Sequence, residues 1–342
     1  MHKRLPKFER QPDAAQKRQV TARTLQIILL LARYRFLPRS LIVQLIPGDI
    51  RTTDDHLRVA FDKDLVSRLT FPRVVGPLGE FIYFIDNPAA LRLVEEAGLA
   101  TNLDYEVVRN NREKRYARAA ALVGDEDGVG ALLFLKHELM ISRFHAAVEL
   151  ACRQSRGTVV LETWKQGSEL YDRVKVPKPD GRGQQAMFGD GGAAEYITVR
   201  PDAFFTFYFP GQPEGHNRAH FFYEADRKTS TAVRFRTKLR GYFHYIVKQR
   251  RHEAKYGIKR ARAVLIESLD VPWVETLKAV GRDPLVVGPK PSELFWFTHS
   301  GTFNSGVPNG KGRPEPHFVL RPAVMFERIW STTEHKLLSL LD

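Results

Sequence analysis

The sequence predicts a mixed α/β chain, α+β overall, in two domains, and three observations lead there. The chain has 342 residues, enough for two separate cores. Apolar residues over 21–100 recur at helical spacing and then alternate, as in a small helical bundle closed by a β-hairpin. The remainder is strand-rich, in the order α-β-β-β-α-β with a further α-β. Hydrophobic residues make up 43% and charged residues 27%, the composition of a chain that folds.

Residues 1–20 are basic and interrupted by Pro, and read as a loosely ordered arm. Thr21 opens a helix in which Leu25, Ile28, Leu29 and Ala32 share one face. A second short helix starts at Pro38 and Ser40, carries Leu41, Ile42 and Leu45, and stops at Pro47-Gly48. The third runs from Thr52 to Leu65 with Leu57, Ala60 and Phe61 inward. Strands at Ser67 to Val75 and Phe81 to Ile85 flank the turn Gly76-Pro77-Leu78-Gly79, and Pro88 begins a closing helix. Helix, tight turn, helix and hairpin are the elements of a winged helix-turn-helix, here over 21–100.

Residues 101–130 read as a helical linker that ends in the Gly/Asp-rich stretch Gly124 to Gly130. The second domain, 131–300, begins with a helix from Leu132 to Gln154 and a strand from Thr158 to Trp164. A Pro/Gly-rich excursion from Val176 to Gly192 follows, then strands at Glu195 to Phe207 and His220 to Asp226. A helix from Thr229 to Gln249, a strand from Ala261 to Ile266, a helix from Trp273 to Val280 and a strand from Leu294 to Thr298 complete it. Residues 301–342 form a C-terminal extension.

Lys and Arg outnumber Asp and Glu by 53 to 39, a formal charge of +14 that favours a polyanionic partner. No apolar run approaches the ~20 residues of a spanning helix. Lys3, Arg4, Lys7 and Arg10 have no apolar stretch behind them, so a cytoplasmic location is expected. Cys152 is the single cysteine, which excludes an intrachain disulfide and a multi-cysteine zinc site. No His-x-His pair, zinc-protease helix or Gly-x-x-x-x-Gly-Lys-Ser/Thr loop occurs, so histidine-metal relaxase, zincin and ATPase chemistries are dropped.

Pro201-Asp202 ends one expected strand, and Glu224, Asp226 and Lys228 alternate along the next, which places all three on one face. Phosphodiester hydrolysis uses a hard divalent ion held by oxygen ligands. Asp202, Glu224 and Asp226 offer such ligands for Mg2+ or Mn2+, and Lys228 offers a cation to orient water or meet the developing phosphorane charge.

Pro201-Asp202 followed by Glu224-Ala225-Asp226-Arg227-Lys228, within that order of elements, resembles the PD-(D/E)xK nuclease pattern of restriction-endonuclease-like domains over residues 132–268. With the winged helix and the phrases Arg33-Tyr34-Arg35-Phe36-Leu37 and Phe221-Phe222-Tyr223-Glu224-Ala225-Asp226, the chain is similar to the replication-relaxation family of plasmid and mobile-element proteins over roughly residues 21–300. The resemblance implies a DNA-binding role in replication and DNA relaxation, with a nuclease-like second domain. It also matches Glu138 to the helical carboxylate that many nucleases of this fold add to the metal site. Two registers fill the terminal pair of the motif, Glu224 with Asp226 or Asp226 with Lys228.

The expected partner is double-stranded DNA, bound by a chain able to form a homodimer. Arg51, Thr52, Thr53, His56 and Arg58 start or line the third helix, and Arg68 and Arg73 lie on the hairpin. Asp54, Asp55, Asp62 and Asp64 would repel phosphates unless they face away. Between Arg227 and Arg262 the sole acid is Glu253, and Arg234, Arg236, Lys238 and Arg240 fall on one helix as further phosphate contacts. Three functions remain open: a metal-dependent DNA nuclease or nickase, a non-catalytic transcriptional regulator or replication accessory protein, and an RNA-binding adaptor.

Overall fold

Thr21 accepts the Thr24 N–H and so caps helix α1 (Ala22–Tyr34), which ends where Arg35 takes a left-handed φ of 66°. In this computed structural model the described residues are 9–11, 16–70, 80–98, 108, 127–178, 194–304 and 319–342. After α1 come β1 (Phe36–Pro38), α2 (Arg39–Leu45) and α3 (Ile50–Asp62), the last capped by Asp49, whose carboxylate accepts the Thr52 N–H at 2.8 Å. Strands β2 (Ser67–Thr70) and β3 (Phe81–Phe84) pair antiparallel, and β1 joins β3 to give the order β1-β3-β2. Helix α4 (Pro88–Glu96) starts with Pro behind the cap Asn87. The turn Gly76 to Gly79, and Arg73 with it, lies outside the described residues.

The chain divides into two units, one built mainly of residues up to Ala146, the other from Ala147 onward. The first has its core at Ile27, Ile28 and Leu31 of α1 and at Leu57, Ala60 and Phe61 of α3, all buried. Each of the Ile, Leu and Phe side chains among them contributes about 1.5–3 kcal/mol of transfer free energy. Phe36, Leu69, Ile82 and Phe84 from the sheet pack with Leu135 and Leu139 of helix α5 (Asp127–Gln154). Helix α5 starts inside the Gly/Asp-rich stretch expected to be a boundary, and the division falls at Ala146 instead of near residue 130. Two glycines cost a helix only about 1 kcal/mol each, and the Ala-Leu-Leu-Phe-Leu run behind them carries it.

A seven-stranded mixed sheet in the order β12-β11-β10-β9-β8-β7-β4 organises the second unit. Strands β4 (Val160–Lys165), β7 (Ala203–Tyr208) and β8 (Arg218–Asp226) run antiparallel. Strand β9 (Ala263–Ser268) is parallel to β8, and β10 (Phe295–His299) is parallel to β9. Parallel neighbours need crossovers. The first consists of α6 (Ala232–Phe243), a π turn at His244–Lys248 and α7 (Arg251–Tyr256). The second consists of α8 (Val271–Arg282) and α9 (Pro284–Val287).

Three strand regions of the second unit differ from the sequence expectation. The single strand expected from Glu195 to Phe207 is two, β6 (Ala194–Val199) and β7, broken at Arg200-Pro201-Asp202, where Pro lacks the N–H a ladder needs. Strand β5 (Asp172–Pro177), not expected at all, pairs with β6 as a separate two-stranded ribbon. The expected C-terminal extension belongs from Leu320 onward to the second unit, where β11 (Trp330–Thr332) and β12 (Leu337–Leu338) extend the sheet beyond β10.

The ribbon is held against α6 at Gly241, where a Cβ would stand 2.8 Å from Ile197 Cγ2 and 3.4 Å from Val199 Cγ2. Gly241→Val is therefore expected to destabilise the protein by about 1–3 kcal/mol through overpacking. Urea unfolding checks this, and an unchanged midpoint would contradict the close approach.

Candidate functional site

Strand alternation turns Phe222, Glu224 and Asp226 of β8 to the α6 side of the sheet, where Phe222 packs with Phe235, Leu239 and Tyr242. Asp202 sits in the break between β6 and β7. Its backbone N–H donates to Tyr223 O at 3.1 Å, and its carboxylate accepts the Ala225 N–H at 2.8 Å, which sets it beside Glu224 and Asp226. Glu224 is 1% exposed. One of its oxygens accepts from the Lys238 ammonium at 2.6 Å and the other from the Tyr242 hydroxyl, both from α6. The Asp226 carboxylate accepts the Trp273 indole N–H from the first turn of α8.

The expected lysine is not the one that reaches this cluster. Lys228 takes a left-handed φ of 58° and pairs at 3.0 Å with Asp270, the N-cap of α8. Lys238 of α6 fills the place instead. A D/E-x-K pattern read along one strand cannot find it. The signal that could have done so is spacing: Lys238 lies three residues after Phe235 and four before Tyr242, beside the buried stripe of α6. The sheet also carries a buried acid absent from the sequence reading, Glu267 of β9, which accepts from the Tyr223 hydroxyl at 2.5 Å and from the Ser300 hydroxyl.

Glu138, expected to join the metal ligands, belongs to the first unit, where it is buried 3.6 Å from Arg35. On α6, among the described residues, Arg234 is exposed and in no ion pair, whereas Arg236 pairs with Asp283 at 2.6 Å. Arg240 is buried, pairs with Glu195 at 2.8 Å and donates to Pro177 O. A helix packed against both a sheet and a ribbon uses its cations inwardly as well as outwardly.

The first unit sorts its candidates the same way. Arg51 and Thr52 are exposed at the start of α3. Thr53 is fully buried and its hydroxyl bonds Asp49 O at 3.1 Å, so it is a helix-packing residue and not a DNA contact. Arg58 pairs with Asp62 at 2.8 Å, and the Arg68 guanidinium lies over the rings of Phe61 and Phe81 at 4.1 and 4.2 Å. His56 bonds Thr24 at 3.0 Å. Three of the four acids that counted against phosphate contact are engaged: Asp54 by Arg39, Asp62 by Arg58 and Asp64 by Arg10.

Comparison with protein-family profiles matches residues 29–260, more than half of the chain, to the family described as Replication-relaxation. The chain belongs to the replication-relaxation family. No curated protein and no solved structure matches it. Membership connects this replication-relaxation protein with replication in mobile elements. Among its described residues no helix is long and apolar enough to cross a membrane.

Burial and neighbouring charge shape the electrostatics of the cluster in this family member. Burial, reinforced by Asp202 and opposed by Lys238, raises the Glu224 carboxyl from 4.5 to about 7. Burial also raises Asp226, against the Trp273 N–H. Burial works against the Lys238 ammonium, but Glu224, Asp202 and Asp226 outweigh it and hold the lysine protonated above its ordinary range. Burial drives the Cys152 thiol up to about 12, which removes it as a nucleophile.

Between pH 4.5 and about 7 the folded protein keeps a proton on Glu224 that the unfolded chain has released, so stability falls as pH rises through that window. Glu224→Gln is expected to flatten that fall by up to about 3 kcal/mol. Urea unfolding at the two ends of the window tests it; an unaltered slope would place the titration elsewhere.

Proposed function

We propose that this replication-relaxation protein of a plasmid or mobile element binds duplex DNA through its first unit and hydrolyses phosphodiester bonds through its second, as a metal-dependent nuclease or nickase. The single observation that carries the catalytic half is the Lys238 ammonium 2.6 Å from Glu224, on a strand segment whose neighbour is Asp202. Two carboxylates and a lysine meet there although they come from three separate elements.

In the first unit the order α1-β1-α2-α3-β2-β3, with the antiparallel sheet β1-β3-β2, supports a winged helix-turn-helix. Arg51 and Thr52, exposed at the N-terminus of α3, are assigned the groove contact. A homodimer on a two-fold DNA site is the stoichiometry this reading expects.

The donor set of the second unit is all oxygen, which suits Mg2+ or Mn2+, and Mg2+ ordinarily takes only one or two protein carboxylates. Among the described residues no group of three or more His, Cys, Asp or Glu side chains is placed to hold an ion. The ligands assigned are therefore Asp202 and Glu224, without Asp226, which is turned to Trp273, and without Glu138. When bound, the ion would stabilise charge on the phosphorane and activate water. Lys238, with a side chain 38% exposed, can donate from Nζ to a non-bridging phosphate oxygen as charge develops. Tyr242 orients Glu224, and the Lys228–Asp270 pair fixes the end of β8 to the start of α8.

A second reading, a non-catalytic regulator or replication accessory protein, is favoured by one specific fact. Asp202, Glu224 and Asp226 each already accept a hydrogen bond from the protein.

Cleavage of supercoiled plasmid with Mg2+, Mn2+ or EDTA separates the two. Metal-dependent nicking is expected for wild type, none for Asp202→Ala, a loss of roughly a hundredfold for Lys238→Met and near-normal activity for Lys228→Ala. Lys238→Met should still fold, because Glu224 can take up a proton and keep its bond with Tyr242. Plasmid retarded equally with metal and EDTA, and never nicked, would leave the second reading. Separately, Arg51→Ala should weaken duplex binding roughly fivefold or more by fluorescence anisotropy, and an unchanged affinity would move the contact away from α3.

A further inference from the structure

The ribbon β5–β6 has two dissimilar faces. Val174, Val176, Ile197 and Val199 are buried toward α6, and the two acids of the ribbon, Asp172 and Glu195, share their parity and are paired with Arg251 at 3.0 Å and Arg240 at 2.8 Å. The opposite face is built from cross-strand neighbours. Lys175 stands opposite Tyr196 and Arg173 opposite Thr198, and one step further the Arg200 guanidinium lies 5.3 Å from the ring of Tyr171. Arg173, Lys175 and Arg200 are exposed, and no acid of either strand shares the face.

Tyr196 is 70% exposed and Tyr171 45%, in a unit whose other large aromatics are mostly buried. Leaving a tyrosine ring in water forgoes the burial that usually holds aromatics inside. Interleaved cations and open rings match the chemistry of unpaired nucleic-acid strands, in which phosphates meet the cations and bases stack on the rings. In a duplex the bases are already stacked on one another and offer the rings no free face. The ribbon leads into Asp202 within three residues of Val199, and α6, which carries it, also carries Lys238 and Tyr242.

We infer that the outer face of β5–β6, with Tyr171, Arg173, Lys175, Tyr196 and Arg200, is a binding platform for single-stranded DNA that delivers an unpaired strand to the Asp202–Glu224–Lys238 site. The inference rests on the proposed DNA-cleaving role for its choice of nucleic acid. The platform itself depends on none of the carboxylates.

Fluorescence anisotropy of the full chain in EDTA, with labelled oligothymidylate and a labelled hairpin duplex, tests it. Tyr196→Ala should weaken oligothymidylate binding roughly five- to hundredfold, while Tyr196→Phe, which keeps the ring, stays within about twofold. The double variant Arg173→Ala, Lys175→Ala should lower both the affinity and its dependence on salt. Duplex binding by Tyr196→Ala should be unchanged. No oligothymidylate binding by wild type, undiminished binding by Tyr196→Ala, or tighter binding of oligouridylate than oligothymidylate overturns the inference. Wild type that binds oligothymidylate but not the duplex would count against the first unit's winged-helix reading and leave the platform standing, whereas duplex binding lost in Tyr196→Ala with oligothymidylate binding kept would overturn the platform.

Discussion

Glu224 lies 1% exposed between a strand and a helix, and its contacts with Lys238 and Tyr242 set how the second unit is assembled. A buried carboxylate must be met by donors, and both donors come from α6, which fixes the rotation of that helix against β8. With the rotation fixed, Phe235 and Leu239 enter the core, Gly241 meets the ribbon and Arg240 reaches Glu195. A buried ion pair contributes little net stability compared with an apolar pair of the same shape. Here the pair contributes direction, because it fixes which face of α6 meets β8.

Charge in this protein is sorted by the fold. The formal +14 suggests a uniformly cationic surface, yet Arg58, Arg68, Arg236, Lys238 and Arg240 are each engaged with acids or rings. The cations that remain open on the ribbon lie opposite the face that holds its acids. Such segregation produces a local field that a sum over the chain does not reveal, and neighbouring anions would feel it within roughly 10 Å at ordinary salt.

Much of the architecture was legible in the sequence. The start at Thr21, the amphipathic stripe of α6 and the alternation along β8 are local signals, and they set elements close to where they are found. Strands β1, β5, β11 and β12 were not legible. Each is short, and its stability comes from a neighbour distant in the sequence: β3 for the first, β6 for the second, β10 for the others through β11. The break at Pro201 was read only as the end of a longer strand, because alternation continues across it.

By itself the sequence set Glu224 and Asp226 on one face of a strand by alternation, and the resemblance to the nuclease pattern joined Asp202 to them. Only the tertiary structure decided which lysine meets them. Lys228 and Lys238 are both close in the chain, but the turn after β8 sends Lys228 to Asp270, while one and a half turns of α6 return Lys238 to Glu224. It likewise decided that Tyr196 is open and Thr53 closed. Residue spacing sets which side chains share a face; which face is covered depends on what packs against it, and that partner comes from elsewhere in the chain.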